Sequence, residues 1–468
     1  MKIDKIFFLF LVLFSKSAFA LSLQEYLTQV KNDNSGYNSA KTNVESSQLL
    51  SKKSLLLTTP NLFINAQSGF EKQNQAIAFV RYEKVNTQNY SIGVEKDFSF
   101  GLNSKFYYNV DRSAYQGLNS TAFIPINYQT NPVLEFTMPL WKDRFGSTIK
   151  SKQAAIIYEN QANQFSSKFE MINFQIEAEK SYWSLVLAKE IVRISQESVL
   201  QAQKILNLAL RKSRMNLGEI SDVLQAKADV ASKKLQLKQA KNDTQISARN
   251  FNQKRYLESE LVDENLEEID YSALKKLTFN LRLPFVRNDV KASLSVLKTQ
   301  IANAKIEEEN NKPKFDIYGS YGLQGLETSR IEAINQSFSQ NGDNAYIGMK
   351  FSIPIAIGLQ SDIQRGAKKS AIAAKMNYRQ KVILAKNERQ NLLQNLRDYQ
   401  ENLQLFRQIE DLQKAKLFNE RDLLKKGRTS TYQVLLFEQD YNRSRIDTVK
   451  TAYQLLSLIA DKKIYQEN

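Results

Sequence analysis

The sequence predicts a membrane β-barrel joined to a long α-helical barrel, mainly α by residue count and built from a duplicated unit of strand, strand, long helix, turn and helix. Two observations predict this fold class. The first is a pair of long helical hairpins, over residues 146–255 with a turn at 216–219 and over residues 358–463 with a turn at 425–428. The second is strand-like alternation of apolar residues ahead of each hairpin, over residues 62–70, 133–140, 315–323 and 347–353.

Both long helices carry an apolar stripe and contain no proline. Apolar residues recur three or four positions apart, as expected for helices that pack along one face: Phe165, Phe169, Ile172 and Ile176 in the first, and Leu392, Leu396, Tyr399, Leu403 and Phe406 in the second. A helix of about 70 residues is roughly 105 Å long at 1.5 Å per residue. No compact globular domain holds a helix of that length.

The strands alternate with period two, most clearly where Leu134, Phe136 and Met138 are separated by Glu135 and Thr137. Such strands suit either a half-buried globular sheet or a barrel wall with lipid on one side and water on the other. The long helices favour the barrel, because a globular sheet gains nothing from them. A few strands with open edges cannot satisfy their backbone groups in hydrocarbon, so the subunit is expected to close its barrel with copies of itself.

The chain divides into four regions: a signal peptide over 1–20, a first repeat over 21–257, an acidic linker or equatorial region over 258–286, and a second repeat over 287–468. Two segments lie outside the simple repeat. Residues 91–111 carry an additional hairpin pattern in the first half only, which we expect to be dispensable for barrel closure. Residues 258–286 are acidic and are interpreted as a solvated connector with minor structure.

The N-terminal residues have the pattern of a secretory signal. Lys2 and Lys5 precede an apolar run over 6–14, and the small residues Ala18 and Ala20 predict cleavage between Ala20 and Leu21. The run is too short for a bilayer-spanning anchor, which needs about 20 residues. The chain contains no cysteine, which excludes a lipoprotein anchor, disulfides and thiolate metal sites.

The absence of histidine narrows the possible chemistry further. It removes the commonest general base and the commonest transition-metal ligand. Gly319, Gly322 and Gly325 lie in a strand pattern without the following helix and Lys-Ser/Thr of a phosphate loop. The chain is therefore not expected to be an enzyme, and no catalytic residue, metal ligand or cofactor is assigned.

The chain is basic, with a formal net charge of +16 that falls to +14 when Lys2, Lys5, Lys16 and Asp4 leave with the signal. Lysines and arginines are interleaved with acids and glutamines along the helices, which is typical of a solvated helix face. No basic cluster alternates with aromatic residues. Nucleic acid is therefore not an expected partner.

The duplicated unit resembles the TolC-like outer-membrane efflux protein family over essentially the whole chain after the signal. Pro139-Leu140 and Pro354-Ile355 leave the strands ahead of the two long helices. The turns read LGEISDVLQA from Leu217 and GRTSTYQVL from Gly427. Each motif is loose alone, but their order, repeated twice, is specific.

The resemblance implies a homotrimer in the outer membrane of a Gram-negative bacterium, in contact with outer-membrane lipid and with its helical tunnel in the periplasm. Each subunit would give four strands to one barrel. Such proteins act as the exit duct of export machines, docking on a periplasmic adaptor protein and an inner-membrane transporter. The tip turns are then the expected docking site, with Gly218, Glu219, Lys426, Gly427 and Arg428.

The resemblance also places aperture residues after the turns, at Asp222, Gln433 and Leu436. Similar proteins carry an aspartate six residues after the second turn glycine and some carry another nine after it, where this chain has Gln433 and Leu436. Aligned on Gly218, the first repeat is about two residues shorter, so Asp222 follows that glycine by four. Asp222 is equally explained as a charge that favours a helix N-terminus, and Lys425, Lys426 and Arg428 as charges that complement a helix C-terminus.

Two other classes of protein remain open at this point. A non-conducting trimeric coiled coil could bridge membrane and wall, although it would not need alternating strands. A periplasmic adaptor also has helical hairpins, but it lacks the duplicated long helices and a membrane barrel. Only the duct would conduct ions in a bilayer.

Overall fold

The computed structural model describes residues 20–72, 82–118, 124–277, 287–339 and 342–465. Residues 1–19 of the predicted signal lie outside this range. The helices are α1 (Leu23–Asp33), α2 (Ser35–Leu50), α3 (Lys53–Leu56), α4 (Ser147–Arg214), α5 (Ile220–Lys254), α6 (Tyr271–Lys276), α7 (Asn288–Asn310), α8 (Arg330–Gln336), α9 (Ile357–Lys425) and α10 (Thr431–Asp461). The strands are β1 (Asn61–Glu71), β2 (Lys84–Asp97), β3 (Asn103–Gln116), β4 (Ile126–Pro139), β5 (Lys314–Leu323), β6 (Gly325–Glu327) and β7 (Asp343–Ser352).

The two predicted helical hairpins are confirmed, with α4 and α9 as uninterrupted helices of 68 and 69 residues. The predicted strands are confirmed too, although β4 begins seven residues earlier than the clearest alternation. Ahead of β1 the chain forms α2 and the short α3. None of the described helices is both long and apolar enough to cross a bilayer.

The chain forms two compact units, and each takes segments from both repeats. Of the described residues, the first contains 20–44, 166–277, 287–289 and 382–465, and the second contains 45–72, 82–118, 124–165, 290–339 and 342–381. The repeats are therefore duplications of sequence and local structure, while each compact unit is assembled from both copies.

The second unit contains one antiparallel sheet with the order β1-β2-β3-β4-β5-β7, and β6 pairs with β4 beside β5. Consecutive long strands are neighbours throughout, so the sheet is a meander. Helix α8 packs on its β4–β6 end, where the Thr130 hydroxyl donates to the Ala333 carbonyl at 2.7 Å. Thr130 is completely buried by this contact.

The extra hairpin predicted over residues 91–111 is present, and it lies within the sheet rather than outside it. Its strands are β2 and β3, each 14 residues long, and they lie between β1 and β4 in the sheet. The four repeated strands are thus not contiguous, because β1 connects to β4 through the hairpin. The expectation that the hairpin is dispensable for barrel closure stays a prediction, but it loses the support of four strands that pair directly with one another.

The first unit has an aromatic core where helix α1 packs on α4 and α5. The rings of Tyr26 and Phe251 stack with centroids 4.1 Å apart, and Tyr182 packs against Tyr26 at 5.6 Å. The Tyr26 hydroxyl donates to the Phe251 carbonyl at 3.0 Å, which satisfies this polar group inside the core. Helix α1 begins with a capping box in which Ser22 and Glu25 exchange hydrogen bonds.

The acidic linker is packed on this core rather than merely solvated. Leu21 N–H donates to the Asn265 carbonyl at 2.6 Å, and the Tyr182 hydroxyl donates to the Leu21 carbonyl at 2.7 Å. The buried Arg255 guanidinium forms an ion pair with Glu264 at 2.8 Å. Leu21, which follows the predicted cleavage point, is therefore held by the linker through its N–H and by helix α4 through its carbonyl.

Candidate functional site

The sheet has one apolar face that runs across all six long strands. Residues opposite one another in an antiparallel ladder lie on the same face, and the register places Leu62, Val94, Phe106, Leu134 and Tyr321 in one row. All five of these side chains are exposed. An exposed apolar surface of this breadth is typical of contact with lipid or protein.

The other face of the same sheet is polar. One row contains Asn65, Ser91, Asn109 and Asn131. Asn89 donates through Nδ2 to Asn109 Oδ1 at 2.8 Å, which links the side chains of β2 and β3 on this face. The two faces of the sheet therefore differ in polarity, as those of a barrel wall do.

The exit from β4 into α4 exposes two large aromatic side chains. Trp141 and Phe145 follow the strand and are both more than half exposed, and the Arg144 guanidinium lies over the Phe145 ring at 4.8 Å. The backbone turns sharply here, with positive φ at Asp143, Phe145 and Gly146. Exposed aromatics beside a basic residue are typical of the boundary between membrane and water.

In the first unit, each long helical hairpin ends in a turn; residues 215–219 are the first tip and residues 426–430 the second tip. At the second tip Gly427 has φ +72°, and Arg428 N–H donates to the Leu423 carbonyl at 2.9 Å. At the first tip Asn216 has φ +56°, and Leu217 N–H donates to the Lys212 carbonyl at 2.9 Å. Both turns are thus the same helix C-cap, with a left-handed residue and a bond back over five positions.

This equivalence corrects the alignment made on glycines. Asn216, not Gly218, takes the left-handed position that Gly427 occupies, because asparagine tolerates that conformation better than other residues with a side chain. Counted from these positions, Asp222 and Gln433 both follow by six residues. The first repeat is therefore not shorter at this point. In the sequence, the Asn-Leu-Gly order after the basic last turn of α4 is the feature that could have indicated Asn216 as the left-handed residue.

The helices after the two tips begin differently. Ser430 caps α10, since its side chain accepts from the backbone N–H of Gln433 at 3.2 Å. Glu219 stands at the matching position before α5 but makes no side-chain cap. Asp222 is the acid in the first turn of α5, where its negative charge interacts favourably with the positive end of the helix dipole.

The two tips present different chemistry to solvent. The first tip and the start of α5 expose Met215, Leu217 and Ile220, the last two each 73% exposed. The second tip exposes Lys426, Gly427 and Arg428, and Lys426 pairs with Asp422 at 2.5 Å. One tip is therefore apolar and the other basic, so the two predicted docking turns are not interchangeable surfaces.

The three predicted aperture residues differ in exposure. Asp222 and Gln433 are half-buried, and Leu436 is 39% exposed. Their helices pack closely within the unit, with Val223 beside α4 and Val434 and Leu435 against α9. Packing against these neighbours holds the first turns of α5 and α10 in place.

Sequence reasoning missed a buried ionic group near the second tip. Arg421 on α9 donates through Nε to Glu438 Oε1 on α10 at 2.9 Å, and Glu438 is only 5% exposed. Burial raises the pKa of Glu438, although Arg421 opposes the shift, and burial likewise raises the pKa of Asp229 on α5. Asp229 and Lys233 both act electrostatically on Glu438, so α5, α9 and α10 share this group.

No family model matches the sequence, and no curated protein matches it. Solved structures do. The outer-membrane channel OprN is 17% identical and superposes with a TM-score of 0.67 over 95% of this chain and 90% of that one. The outer membrane protein VceC of Vibrio cholerae is 14% identical, with a TM-score of 0.65 over 94% of each chain.

The MtrE outer membrane channel of Neisseria gonorrhoeae, solved in its open state, is also similar. It is 14% identical, with a TM-score of 0.62 over 95% of this chain and 88% of that one. Identities this low establish shared architecture rather than shared partners or substrates. The chain has the fold of outer-membrane channel proteins, with an antiparallel sheet and paired long helices.

Proposed function

We propose that this protein is the outer-membrane exit duct of a tripartite efflux or type I secretion system, a passive trimeric channel that crosses the outer membrane and the periplasm. The observation that carries the proposal is the two-faced sheet in a chain with two long helical hairpins. A sheet with one apolar and one polar face suits a wall between lipid and water. The proposed role is conduction rather than catalysis.

Assembly into a homotrimer is supported by apolar surface that a single chain leaves uncovered. Leu405, Ile409 and Leu412 of α9 lie on one helical stripe, and all three are exposed. Residues spaced by four and three positions share a face of a helix. A neighbouring copy is the proposed cover for this stripe.

The tips are the proposed docking surface for a periplasmic adaptor protein, which would connect the duct to an inner-membrane transporter. The first tip offers Leu217 beside Gly218 and Glu219, and the second offers Lys426, Gly427 and Arg428. A partner that meets both would need an apolar contact for the first and acidic or carbonyl groups for the second. Asp222, Gln433 and Leu436 follow the tips and are the proposed aperture residues.

Export would begin with cleavage between Ala20 and Leu21. The new N-terminus at Leu21 would lie at the Asn265 carbonyl, where the Leu21 nitrogen already donates a hydrogen bond. An ammonium group at this nitrogen keeps that donor. Intact mass of protein purified from outer membranes tests the site, because a mass that retains the signal would contradict it.

Conductance separates this function from its alternatives. Purified protein reconstituted in a planar bilayer should give discrete ion-conducting steps, and light scattering in detergent should give the mass of a trimer. A trimer that never conducts would favour the structural coiled coil. A monomer without membrane affinity would favour the adaptor. Cross-linking in cells followed by identification of bound proteins would test the adaptor and transporter as partners.

A further inference from the structure

We propose that the β2–β3 hairpin is part of the barrel wall, so that each subunit contributes six long strands and β1 of one copy pairs with β7 of the next. The proposal rests on the proposed function, since it assumes the trimeric membrane channel. It assigns an interaction surface, the two outer edges of the sheet, and its occupant, a second copy of this chain. A wall of four strands per subunit is the alternative arrangement.

The first support is the continuity of the ladder through the hairpin. β2 pairs with β1 from Glu71–Val85 to Asn61–Glu95, and β3 pairs with β4 from Asn103–Thr137 to Ala114–Ile126. A hairpin outside the wall would leave β1 and β4 paired directly. Among the described strands, β2 is the only one that pairs with β1.

The second support is the phase of the side chains. Ile92 of β2 lies opposite Ile64 of β1 and Tyr108 of β3. Val94 lies opposite Leu62 and Phe106, so the hairpin continues the apolar face over these two rows. Ser91 lies opposite Asn65 and Asn109, so it also continues the polar face. A slip of one residue would reverse both faces, and a hairpin inside the lumen or above the membrane would have no need of this match.

The third support is the state of the two outer strands. β1 and β7 each have one neighbouring strand in the described part of the sheet. Ile64 on β1 and Ile347 on β7 belong to the apolar face and are 70% and 75% exposed. In hydrocarbon an open strand edge leaves backbone groups without partners, so these edges require a protein occupant.

A second copy fits both edges. An antiparallel meander of six long strands makes β1 and β7 run in opposite directions, so β7 of one copy can extend the ladder at β1 of the next. Three copies would then close a barrel of eighteen strands. Barrel diameter grows roughly linearly with strand number, and barrels of about 16 to 18 strands enclose an aqueous channel. The outer mouth would thus be about half again as wide as one built from four strands per copy.

Arginine substitutions on adjacent residues of β2 test the wall assignment. Ile92→Arg puts a charge on the apolar face, Ser91→Arg puts the same charge on the polar face, and Leu134→Arg on β4 is the reference for a wall strand. We expect Ile92→Arg and Leu134→Arg to abolish the trimer in outer-membrane fractions, while Ser91→Arg retains it. If Ile92→Arg still forms the trimer while Leu134→Arg does not, the six-strand wall is overturned and the channel function still stands. Normal assembly of all three would contradict the membrane channel itself.

Engineered cysteines test the edge pairing in protein that folds. The chain has no cysteine of its own, so any disulfide reports the introduced pair. Ile64→Cys combined in turn with Ala345→Cys, Ile347→Cys and Met349→Cys should give covalent dimers and trimers on oxidation for at least one pair. Pairs with Tyr346→Cys or Gly348→Cys, on the opposite face, should not cross-link. Absence of any intersubunit product in a conducting trimer would overturn the β1–β7 closure.

Discussion

Asp222 and Gln433 occupy the same position, the third residue of the helix that follows each tip. Each lies six residues after the left-handed residue of its turn, Asn216 or Gly427. A trimer would therefore carry one carboxylate and one amide per subunit at this level. The duplicated tips are alike in backbone and different in charge.

The first prediction concerns ion selectivity at this level. Asp222→Asn should shift the reversal potential under a salt gradient toward anions, and Gln433→Asp should shift it toward cations, because close carboxylates attract cations by roughly 1 to 4 kcal/mol per pair. We expect weak cation preference in the wild type. Asp243→Asn, an exposed acid farther along α5, is the control. Unchanged selectivity in both tip variants would show that the aperture lies elsewhere.

The second prediction concerns the left-handed residue of the second tip. Gly427→Ala should lower the free energy of unfolding by about 1 kcal/mol, because a residue with a Cβ is strained at positive φ. Apart from the adjoining residues, no heavy atom of the described part of the chain lies within 4 Å of the added methyl group, so the cost is backbone strain alone. Gly427→Asn should cost less, as Asn216 indicates.

Gly366→Ala is the matched control for that comparison. It also adds a methyl group that contacts nothing, but within helix α9. There it should stabilise the folded protein by about 0.5 to 1 kcal/mol, because alanine is more favourable than glycine in the interior of a helix. Thermal unfolding followed by circular dichroism measures the stability of both variants. Destabilisation by Gly366→Ala as well as by Gly427→Ala would contradict the backbone explanation.

The third prediction concerns subunit assembly. Leu412→Glu should weaken the trimer while leaving the helical content of the chain intact, because Leu412 is 71% exposed in the single chain and makes no core contact that the change removes. Gln404→Glu, which adds the same charge to the same helix away from the stripe, should leave the trimer unchanged. Native mass spectrometry of the detergent-solubilised proteins measures the oligomer. Equal trimer content in both variants would place the interface on another surface.

The fourth prediction concerns pH. Burial raises the folded-state pKa of Glu438, so the folded chain holds this proton to higher pH than the unfolded chain. The contribution of Glu438 to the free energy of unfolding therefore falls as pH rises above the ordinary carboxyl pKa. Glu438→Gln removes that titration, so its stability relative to wild type should increase with rising pH.

Unfolding midpoints at several pH values between acid and neutral measure this difference. Other acids titrate in both proteins and cancel in the comparison. Asp243→Asn should show a constant offset from wild type across the same range. A constant offset for Glu438→Gln as well would mean that Arg421 fully compensates the burial of the carboxylate.

The sequence by itself determined the helical hairpins, the alternating strands and their duplication, because helical and strand periodicities are local. Only the tertiary structure decided that β2 and β3 lie between β1 and β4, since alternation defines a strand's two faces but not its neighbours. The match of Asn216 with Gly427 likewise required backbone dihedral angles, because glycine spacing alone suggested a different alignment. The ion pair of Arg421 with Glu438 joins two helices across a turn, and Asp229 and Lys233 of α5 act on Glu438 electrostatically, a grouping that no local pattern predicts.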